Sequence, residues 1–396
     1  MKQISYGKAV YGKDEIRAVL NTLNKTTQMG KSVKQFEKKI SSLFQKKYGV
    51  MTNSGTSALI IAVDALRLPK YSEIITPCLT FATSVSSIIK NDLIPSFVDV
   101  DIETLCIKVE DIEKKITNKT KAILIPDLIG NISNWLEINK IAKKYKLKVI
   151  HDSADTLGAL INKKSTGRFS DISITSFYGS HVITAAGNGG MICTSDKKIY
   201  EKMKLLRSWG RASSIIDDRD LKSRFNIKLS GIPYDKKFVF EEIGYQNEPS
   251  ELSAAFGLVQ IKKLKTNISS RENNFKLHLE FFSKFQKYFI LPKQLINTKT
   301  GWLAYPIILK ENTKLKRKQF QIYLEKRNIQ TRVIFTGNIL RQPGFRNIKC
   351  KGKVNEFPNS DYIMRNGILI GCHHGMRKSE IKLIHKVIAD YIKKLF

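Results

Sequence analysis

The sequence is poor in paired cysteines and in long apolar runs, and each shortage excludes a class of protein. Its five cysteines, Cys78, Cys106, Cys193, Cys350 and Cys372, are scattered without a CxxC pair. That spacing favours reduced thiols over a disulfide framework or a structural zinc site. No run reaches the length of a membrane span, and the N-terminus lacks the apolar core of a secretion signal. We therefore expect a cytoplasmic protein with no membrane partner.

Acidic residues are also scarce, since 35 Asp and Glu stand against 68 Lys and Arg, for a formal net charge of +33. Such a charge is typical of nucleic-acid binding, or of attraction to a phosphorylated small substrate. The lysines, however, are spread along every predicted helix and alternate with Leu and Ile, as in KKISSLFQKK and HKVIADYIKK. This distribution favours solvated helix faces, with steering of an anionic substrate as a secondary effect. We expect no nucleic-acid partner.

What the sequence does contain is a regular alternation of strands and helices. Apolar spacing predicts amphipathic helices over 14–25 and 32–48, and strands in SEIITP, IPSFVDV, KAILIPD and KLKVIHD. This alternation predicts an α/β fold whose mostly parallel central sheet binds ligands at the carboxyl ends of its strands. One long amphipathic helix, beginning at SELSAAF, leads to a second region. We expect a large α/β domain over 1–269 and a smaller α+β domain over 270–396.

Two polar features fall where such a sheet binds its ligand. In NSGTSAL, Gly55 and Thr56 lie between a short strand and an apolar helix, where free N–H groups and hydroxyls suit an anion or simply cap the helix. Asp152 ends the strand KLKVIHD. Its carboxylate has three interpretations: a helix cap, a metal ligand, or the partner of a cationic ring nitrogen. No further cluster with metal-ligand spacing accompanies it, so we expect no metal.

A third feature is DISITSFYGSH, where Ser176 and His181 follow an apolar strand and precede the glycine hairpin GNGG. A serine and a histidine five residues apart are a weak signal, equally typical of an ordinary loop. Their neighbours in the sequence decide the interpretation.

The ordered set NSGTSAL, PCLTFAT, HDSADTLGA, SFYGSH and GNGG resembles the DegT family of nucleotide-sugar aminotransferases, which are pyridoxal-phosphate enzymes of fold type I. The likeness runs nearly end to end, from YGKDEIRAVLNTL through GYQNEPSELSAAFGLVQIKKL to the carboxyl-terminal domain. It implies an aspartate-aminotransferase-like fold, a homodimer with shared active sites, and a nucleotide-diphosphate sugar as substrate.

The resemblance also implies roles for individual residues. Gly55, Thr56 and Ser176 would hold the cofactor phosphate at a helix start. Phe81 would stack on the pyridine ring, and Asp152 would keep the ring nitrogen protonated so that the ring acts as an electron sink.

Two departures from the family bear on partners and chemistry. Members usually present an asparagine from the neighbouring subunit in a GYN motif, and here Gln246 stands at that position. The lysine that binds the cofactor covalently in the aminotransferases is replaced by His181. An imidazole cannot form a Schiff base, so pyridoxal or pyridoxamine phosphate would be held noncovalently. A histidine with a pKa near ~6.5 still transfers protons.

Replacement of that lysine by histidine marks the sugar 3-dehydratases of the family, the branch of GDP-4-keto-6-deoxymannose 3-dehydratase. Asp155, where most aminotransferases have glutamine, agrees with that branch. The resemblance therefore implies removal of the C3 hydroxyl of a nucleotide-linked 4-keto-6-deoxy sugar, in surface polysaccharide biosynthesis. One histidine serving as base and then as acid would need a pKa near neutrality.

The segment after WGR contains no cysteine, and the isolated Cys193 agrees with the absence of an iron–sulfur cluster. We expect L-glutamate to regenerate the aminated cofactor instead. Asn338 and Arg341 are candidate substrate contacts, with packing roles equally open. A sugar aminotransferase and a catalytically inactive family member remain alternatives. The nucleotide base, and whether the sugar is a hexose or a heptose, are not encoded in any motif that we identify.

Overall fold

The fold is built on a seven-stranded sheet, seen in a computed structural model that describes residues 3–215 and 220–395. Within these ranges the strands are β1 (Tyr48–Thr52), β2 (Glu73–Pro77), β3 (Ile94–Val98), β4 (Thr120–Pro126), β5 (Lys148–Asp152), β6 (Leu160–Ile161), β7 (Lys164–Ser165), β8 (Ile172–Ser176), β9 (Gly190–Thr194), β10 (Ile227–Leu229), β11 (Ile232–Tyr234), β12 (Phe289–Ile290), β13 (Thr298–Lys299), β14 (Ala304–Leu309), β15 (Arg332–Val333) and β16 (Gly367–Gly371).

The α-helices in the same ranges are α1 (Lys13–Leu23), α2 (Lys31–Leu43), α3 (Gly55–Ala65), α4 (Ala82–Ile89), α5 (Trp135–Lys144), α6 (Lys197–Arg207), α7 (Leu221–Phe225), α8 (Glu251–Ser283), α9 (Arg317–Glu325), α10 (Pro358–Asn366) and α11 (Lys378–Leu395). No helix in the described ranges combines the length and apolarity needed to span a membrane.

The central sheet has the strand order β1-β9-β8-β5-β4-β2-β3. Its four neighbour pairs from β8 to β3 are parallel, and β9 runs antiparallel to both β8 and β1. Strands β2 and β3 are buried along their whole length, as expected for a parallel sheet covered by helices on both faces. The predicted α/β architecture with a mostly parallel sheet is confirmed.

A second, four-stranded antiparallel sheet, β12-β14-β16-β15, lies in the carboxyl-terminal region. The run IQTRVIF has the composition of a strand, but only Arg332 and Val333 form one, because Phe335 and Gly337 turn the chain with positive φ angles of 44° and 63°. Strand β16 and helix α10 were not predicted. The segment 211–249 contains α7 and the hairpin of β10 and β11, and its residues 216–219 lie outside the described ranges.

Helix α8 connects the two regions as one uninterrupted helix of 33 residues. Leu264 and Ile268 belong to the apolar core beneath the central sheet, whereas Phe275 and Phe282 belong to the core of the second sheet. The predicted division at 269/270 falls between these two pairs and stays a prediction. Ile4 also packs into the second core, so the amino terminus returns to the carboxyl-terminal region.

Candidate functional site

The carboxyl ends of three neighbouring parallel strands open into a cavity of about 730 Å³. Pro126 of β4, Asp152 of β5 and Ser176 of β8 line it. Ten residues were predicted for the site, and the seven that line this cavity are Gly55, Thr56, Phe81, Asp152, Asp155, Ser176 and His181. The structure thus brings together residues that are far apart in sequence. Among the described residues that line the cavity, none is a lysine.

The start of α3 forms one wall of the cavity. Ser54 caps the helix, its Oγ accepting a hydrogen bond from the Ser57 N–H at 3.1 Å. The N–H groups of Gly55 and Thr56, in the first turn, have no acceptor within the helix. A Cβ at residue 55 would come within 2.8 Å of the Ser176 Cβ, so only glycine allows this close approach. The result is a cluster of N–H and hydroxyl donors suited to a phosphate.

A buried carboxylate lies deeper in the cavity. Asp152, only 5% exposed, accepts hydrogen bonds from the Ser84 hydroxyl at 3.0 Å and the Ala154 N–H at 3.2 Å. Burial raises its pKa to about 6. A cation placed against it would favour the charged form. Phe81, at the start of α4, is half exposed, and the edge of its ring meets Phe335 with the centroids 6.0 Å apart.

His181 and Asp155 form a pair in the same cavity, in which Asp155 is buried and the His181 side chain is 12% exposed. The His181 Nδ1 lies 3.4 Å from the Asp155 Oδ1, and within the described ranges this nitrogen has no hydrogen-bond partner. The other Asp155 oxygen accepts from the Ile129 N–H at 2.9 Å. Burial raises the pKa of Asp155 to about 7. Burial, followed by the charge of Arg271, lowers the pKa of His181 to about 4. The expected near-neutral pKa of His181 is therefore not found. Its imidazole is neutral at pH 7.

The two predicted substrate residues lie outside the cavity. Asn338 is fully buried, donates to the Val354 carbonyl at 2.8 Å and to Asp361 at 2.9 Å, and accepts from the Leu340 N–H at 3.1 Å. Arg341 forms a two-pronged ion pair with Asp361 at 2.6 Å on each side. These contacts are packing contacts, and the substrate roles stay predictions.

Gln246 lies away from the cavity, in an open cleft of about 1390 Å³. The cleft is rich in basic side chains, which are Lys34, Lys38, Lys47, Lys204, Arg207, Arg211 and Lys237. The subunit's own cavity therefore lacks Gln246. Its family role requires a neighbouring copy.

Several residues of the cavity wall were not predicted from the sequence. Tyr6 and Arg332 line it, with the Arg332 guanidinium 5.6 Å from the centre of the Tyr6 ring. Among the described lining residues, Arg332 has the only permanent positive charge. In the sequence, Arg332 is a lone arginine within the apolar, strand-like run QTRVIF. Periodicity alone does not distinguish such a residue from a solvated residue at a sheet edge. Arg271, on α8, was not singled out from the sequence either.

No group of three or more His, Cys, Asp or Glu side chains suited to a metal ion occurs within the described residues. Four of the cysteines are buried and Cys350 is partly buried. The donors that are present fit a phosphorylated aromatic cation: an anion cradle at α3, a buried carboxylate, and an aromatic ring at the rim. Together with the sheet order, this donor set is that of a pyridoxal-phosphate-type site of fold type I, with no lysine among the described lining residues.

The chain belongs to the DegT/DnrJ/EryC1/StrS aminotransferase family, whose model matches residues 10–389. It is 33% identical to the lipopolysaccharide biosynthesis protein RfbH of Salmonella typhimurium, covering 96% of this chain and 89% of that protein. It is 32% identical to the GDP-4-keto-6-deoxy-D-mannose 3-dehydratase of Escherichia coli O55:H7, covering 94% and 96%. An aminotransferase-branch relative, the GDP-perosamine synthase of Escherichia coli O157:H7, is 30% identical over 77% of each chain.

Among solved structures, the Escherichia coli GDP-4-keto-6-deoxy-D-mannose 3-dehydratase with bound hydrated pyridoxal phosphate superimposes with a TM-score of 0.88. It is 30% identical and the match covers 97% of this chain and 99% of that one. These findings confirm the predicted family, the fold-type-I architecture, and pyridoxal phosphate as the cofactor of this group of proteins.

Proposed function

We propose that this protein is a pyridoxal-phosphate- and pyridoxamine-phosphate-dependent 3-dehydratase. It removes the C3 hydroxyl of a nucleotide-linked 4-keto-6-deoxy sugar, giving a 4-keto-3,6-dideoxy sugar for surface polysaccharide biosynthesis. The observation that carries the proposal is His181 facing a cavity that has no lysine among its described lining residues. An aminotransferase of this fold binds its cofactor covalently through a lysine at the position of His181.

Noncovalent binding of the cofactor is supported by the donors described above. Gly55, Thr56 and Ser176 would hold the phosphate, and Asp152 would pair with the protonated ring nitrogen. Phe81 would cover one ring face. When bound, the cofactor supplies an amine for the sugar ketone and a ring that takes up negative charge.

His181 is suited to accept a proton first, because its imidazole is neutral at pH 7. Asp155, 3.4 Å away, would stabilise the imidazolium that results. The same proton then serves the departing C3 hydroxyl, which leaves as water. Overall, the 4-keto sugar and L-glutamate would give the deoxygenated ketone, 2-oxoglutarate and ammonia, with glutamate as the source of the amino group and of the two electrons.

Both co-substrates are anionic, and Arg332 is the cation that the cavity wall offers them. The guanidinium lies on the short strand β15, beside Tyr6 and on the side formed by the second sheet. A planar guanidinium matches a carboxylate or a phosphate with two parallel hydrogen bonds. We assign Arg332 to binding the anionic part of a co-substrate.

The proposed enzyme is a homodimer whose active sites are shared. Exposed apolar side chains over 221–243 support this, because a large exposed apolar patch is typical of a protein interface. They are Leu221, Phe225, Leu229, Ile232, Tyr234, Phe238, Phe240 and Ile243. Ile243, at 97% exposure, comes three residues before Gln246. A partner that covers this segment would receive Gln246 near its own cavity.

The alternative activity is amino transfer, as in the relative named a perosamine synthase. It requires a covalent link between the cofactor and a lysine. Borohydride treatment of the cofactor-loaded protein distinguishes the two, because reduction would fix the cofactor to an aminotransferase. We expect no covalent cofactor after reduction, whereas a labelled lysine peptide would favour amino transfer.

The decisive test is incubation with pyridoxal phosphate, L-glutamate and a panel of GDP-, CDP- and dTDP-linked 4-keto-6-deoxy sugars. The expected product has lost the C3 oxygen, seen by mass spectrometry, and ammonia and 2-oxoglutarate accumulate with it. Formation of a 4-amino sugar with no deoxygenation would contradict the proposal. His181→Lys is expected to abolish deoxygenation and to permit the borohydride-stable link.

A further inference from the structure

Arg271 is a fully buried arginine on α8, with 0% of its surface exposed. Its guanidinium donates to backbone carbonyls from two distant segments. One nitrogen, Nη2, donates to the carbonyls of Ser180 and His181, both at 2.9 Å. Another, Nη1, donates to the carbonyls of Trp302 and Leu303, at 3.0 and 3.3 Å. The arginine thus connects the His181 loop to the start of the second sheet.

The remaining donor of Arg271 fixes the state of a histidine. Nε lies 3.1 Å from the Nδ1 of His374, and a guanidinium can only donate. His374 must therefore accept at Nδ1, be neutral, and have its proton on Nε2. Burial, followed by the charge of Arg271, lowers the pKa of His374 to about 3, in agreement with that tautomer.

Arg271 forms no ion pair with a carboxylate in the described part of the chain, and Asp155 acts on its charge from beyond ion-pair distance. Burial lowers the pKa of Arg271 to about 10, which leaves the guanidinium protonated at pH 7. The titratable groups that interact with it or with His181 are Tyr6, Asp155, Cys372, His373 and His374. Of these groups, Asp155 alone is a carboxylate, and it faces the His181 imidazole.

The backbone of the His181 loop is fixed from both sides. The His181 N–H donates to the Tyr178 carbonyl at 3.0 Å, closing a turn, while its carbonyl and that of Ser180 point at Arg271. Two fixed peptide units leave the imidazole little freedom besides rotation about its own side-chain bonds. The same cation that holds the carbonyls raises the cost of a second positive charge on the ring.

We infer that Arg271 is a positioning residue for His181: its hydrogen bonds fix the peptide units around the histidine, and its charge adds to burial in favouring the neutral, proton-accepting imidazole. The meaning of this state for catalysis rests on the proposed function. The state itself does not, because it is a property of the protein without cofactor or substrate.

The test measures the ionisation of His181 directly. Neutral imidazole reacts with diethyl pyrocarbonate and imidazolium does not, so peptide mass spectrometry of His181 over about pH 3 to 8 gives the midpoint. The measurement uses the full chain without cofactor. In the unmodified protein we expect the midpoint near pH 4. In Arg271→Met it should move towards the ordinary value, about 6.5.

Two variants separate charge from general loss of structure. Arg271→Lys keeps the charge with fewer hydrogen bonds, and its midpoint should stay close to that of the unmodified protein. Arg207→Met removes another buried arginine, which pairs with Glu37 at 2.8 Å outside the cavity, and it should leave the His181 midpoint unchanged. If Arg271→Met does not fold, Arg271→Gln, neutral and still a donor, replaces it.

The inference is overturned if the midpoint is the same with and without the charge at residue 271. It is also overturned if Arg271→Lys or Arg207→Met moves the midpoint as far as the neutral variants do. Failure of the dehydratase assay would leave these midpoints standing. Unmoved midpoints, conversely, would leave the proposed dehydration intact.

Discussion

The cavity and the cleft of this protein are lined by side chains of opposite charge. The cavity, about 730 Å³, is lined by Asp127, Asp152 and Asp155 against the single cation Arg332. The cleft, about 1390 Å³, has seven basic side chains against Glu37 and Glu248. A chain of high positive charge thus keeps its buried reaction site acidic. The difference agrees with the proposed binding of a cationic ring in the cavity, and with the proposal that a second molecule brings Gln246 to that cavity.

The largest expected effect tests whether cavity and cleft act together across two chains. His181→Asn should lower the dehydration rate about 1,000-fold, since it removes a proton-transfer group. Gln246→Ala should also lose most of its dehydration activity. When the two inactive variants are mixed and allowed to exchange subunits, activity should return to about a quarter of the unmodified level, because one hybrid site has both wild-type residues.

A matched mixture gives the control for this experiment. Asp152→Asn and His181→Asn alter the same cavity, so their hybrid contains no intact site and no activity should return. Recovery in the first mixture that does not exceed recovery in this one would contradict shared sites and place Gln246 outside the reaction.

Arg332 provides the next largest effect, because it is the exception to the acidic character of the cavity. Arg332→Gln should raise the KM for its anionic co-substrate about 30-fold, the value of a charge-assisted hydrogen bond. Arg332→Lys should recover part of the loss. Glutamate and the nucleotide sugar are assayed in separate half-reactions, by absorbance of the cofactor, and the half-reaction that changes identifies the anion.

The exposed Arg346, in the same region of the chain, is the matched control. Arg346→Gln should leave both KM values unchanged. Equal KM values for Arg332→Gln and the unmodified enzyme in both half-reactions would remove Arg332 from the site.

Gly55→Ala should have a smaller effect, confined to cofactor binding. The added methyl group would lie 2.8 Å from the Ser176 Cβ and push the cradle apart. We expect the Kd for pyridoxal phosphate to rise about tenfold, or about 1.4 kcal/mol, in an absorbance titration. Gly344→Ala adds the same methyl group where nothing lies within 4 Å and should not alter the Kd. An unchanged Kd in both variants would argue against the phosphate cradle.

The sequence was sufficient for the parts of this molecule whose signals are local. Apolar strands such as β4 and the start of α3 follow from short runs of residues, and the likeness of ordered motifs brought Gly55, Asp152 and His181 to one site. The rest depends on contacts between distant segments. Arg271 lies in an amphipathic helix, and in the sequence it resembles a solvated residue. Its burial depends on the carbonyl of Ser180, 91 residues away, which accepts a hydrogen bond from its guanidinium.

Asn338 and Arg341 were predicted as substrate contacts, and the structure shows them in packing contacts that the sequence does not reveal. Their polar side chains in a loop are typical of ligand contacts, and the partner that engages both, Asp361, comes 20 residues after Arg341 in a helix that was not predicted. Likewise the expected near-neutral pKa of His181 followed from its chemistry alone. Burial, which lowers that pKa, depends on packing that one strand and one loop do not reveal.

The smallest effect concerns the cost of an acidic cavity to the fold. The pKa of Asp155 is raised from 3.8 to about 7, so in the protein without cofactor the stability due to its protonated form is complete below about pH 4 and is lost as the pH rises through 7. Asp155→Asn, neutral at every pH, lacks this loss. At pH 8 it should therefore be more stable by on the order of 1 kcal/mol, or about 2 °C in Tm, with little difference at pH 4.

The pKa of His181 shifts in the opposite direction. Because its Nδ1 lies 3.4 Å from the Asp155 carboxylate, the gain in Asp155→Asn reports on the pair and not on Asp155 alone. In the cleft, Glu37 is paired with Arg207, and Glu37→Gln should give no stabilisation at either pH. A gain for Asp155→Asn that is equal at pH 4 and pH 8 would show that its carboxylate is not held at a cost. A gain confined to high pH, accompanied by slower dehydration, would mean that the cavity retains an unstable charge because the chemistry uses it.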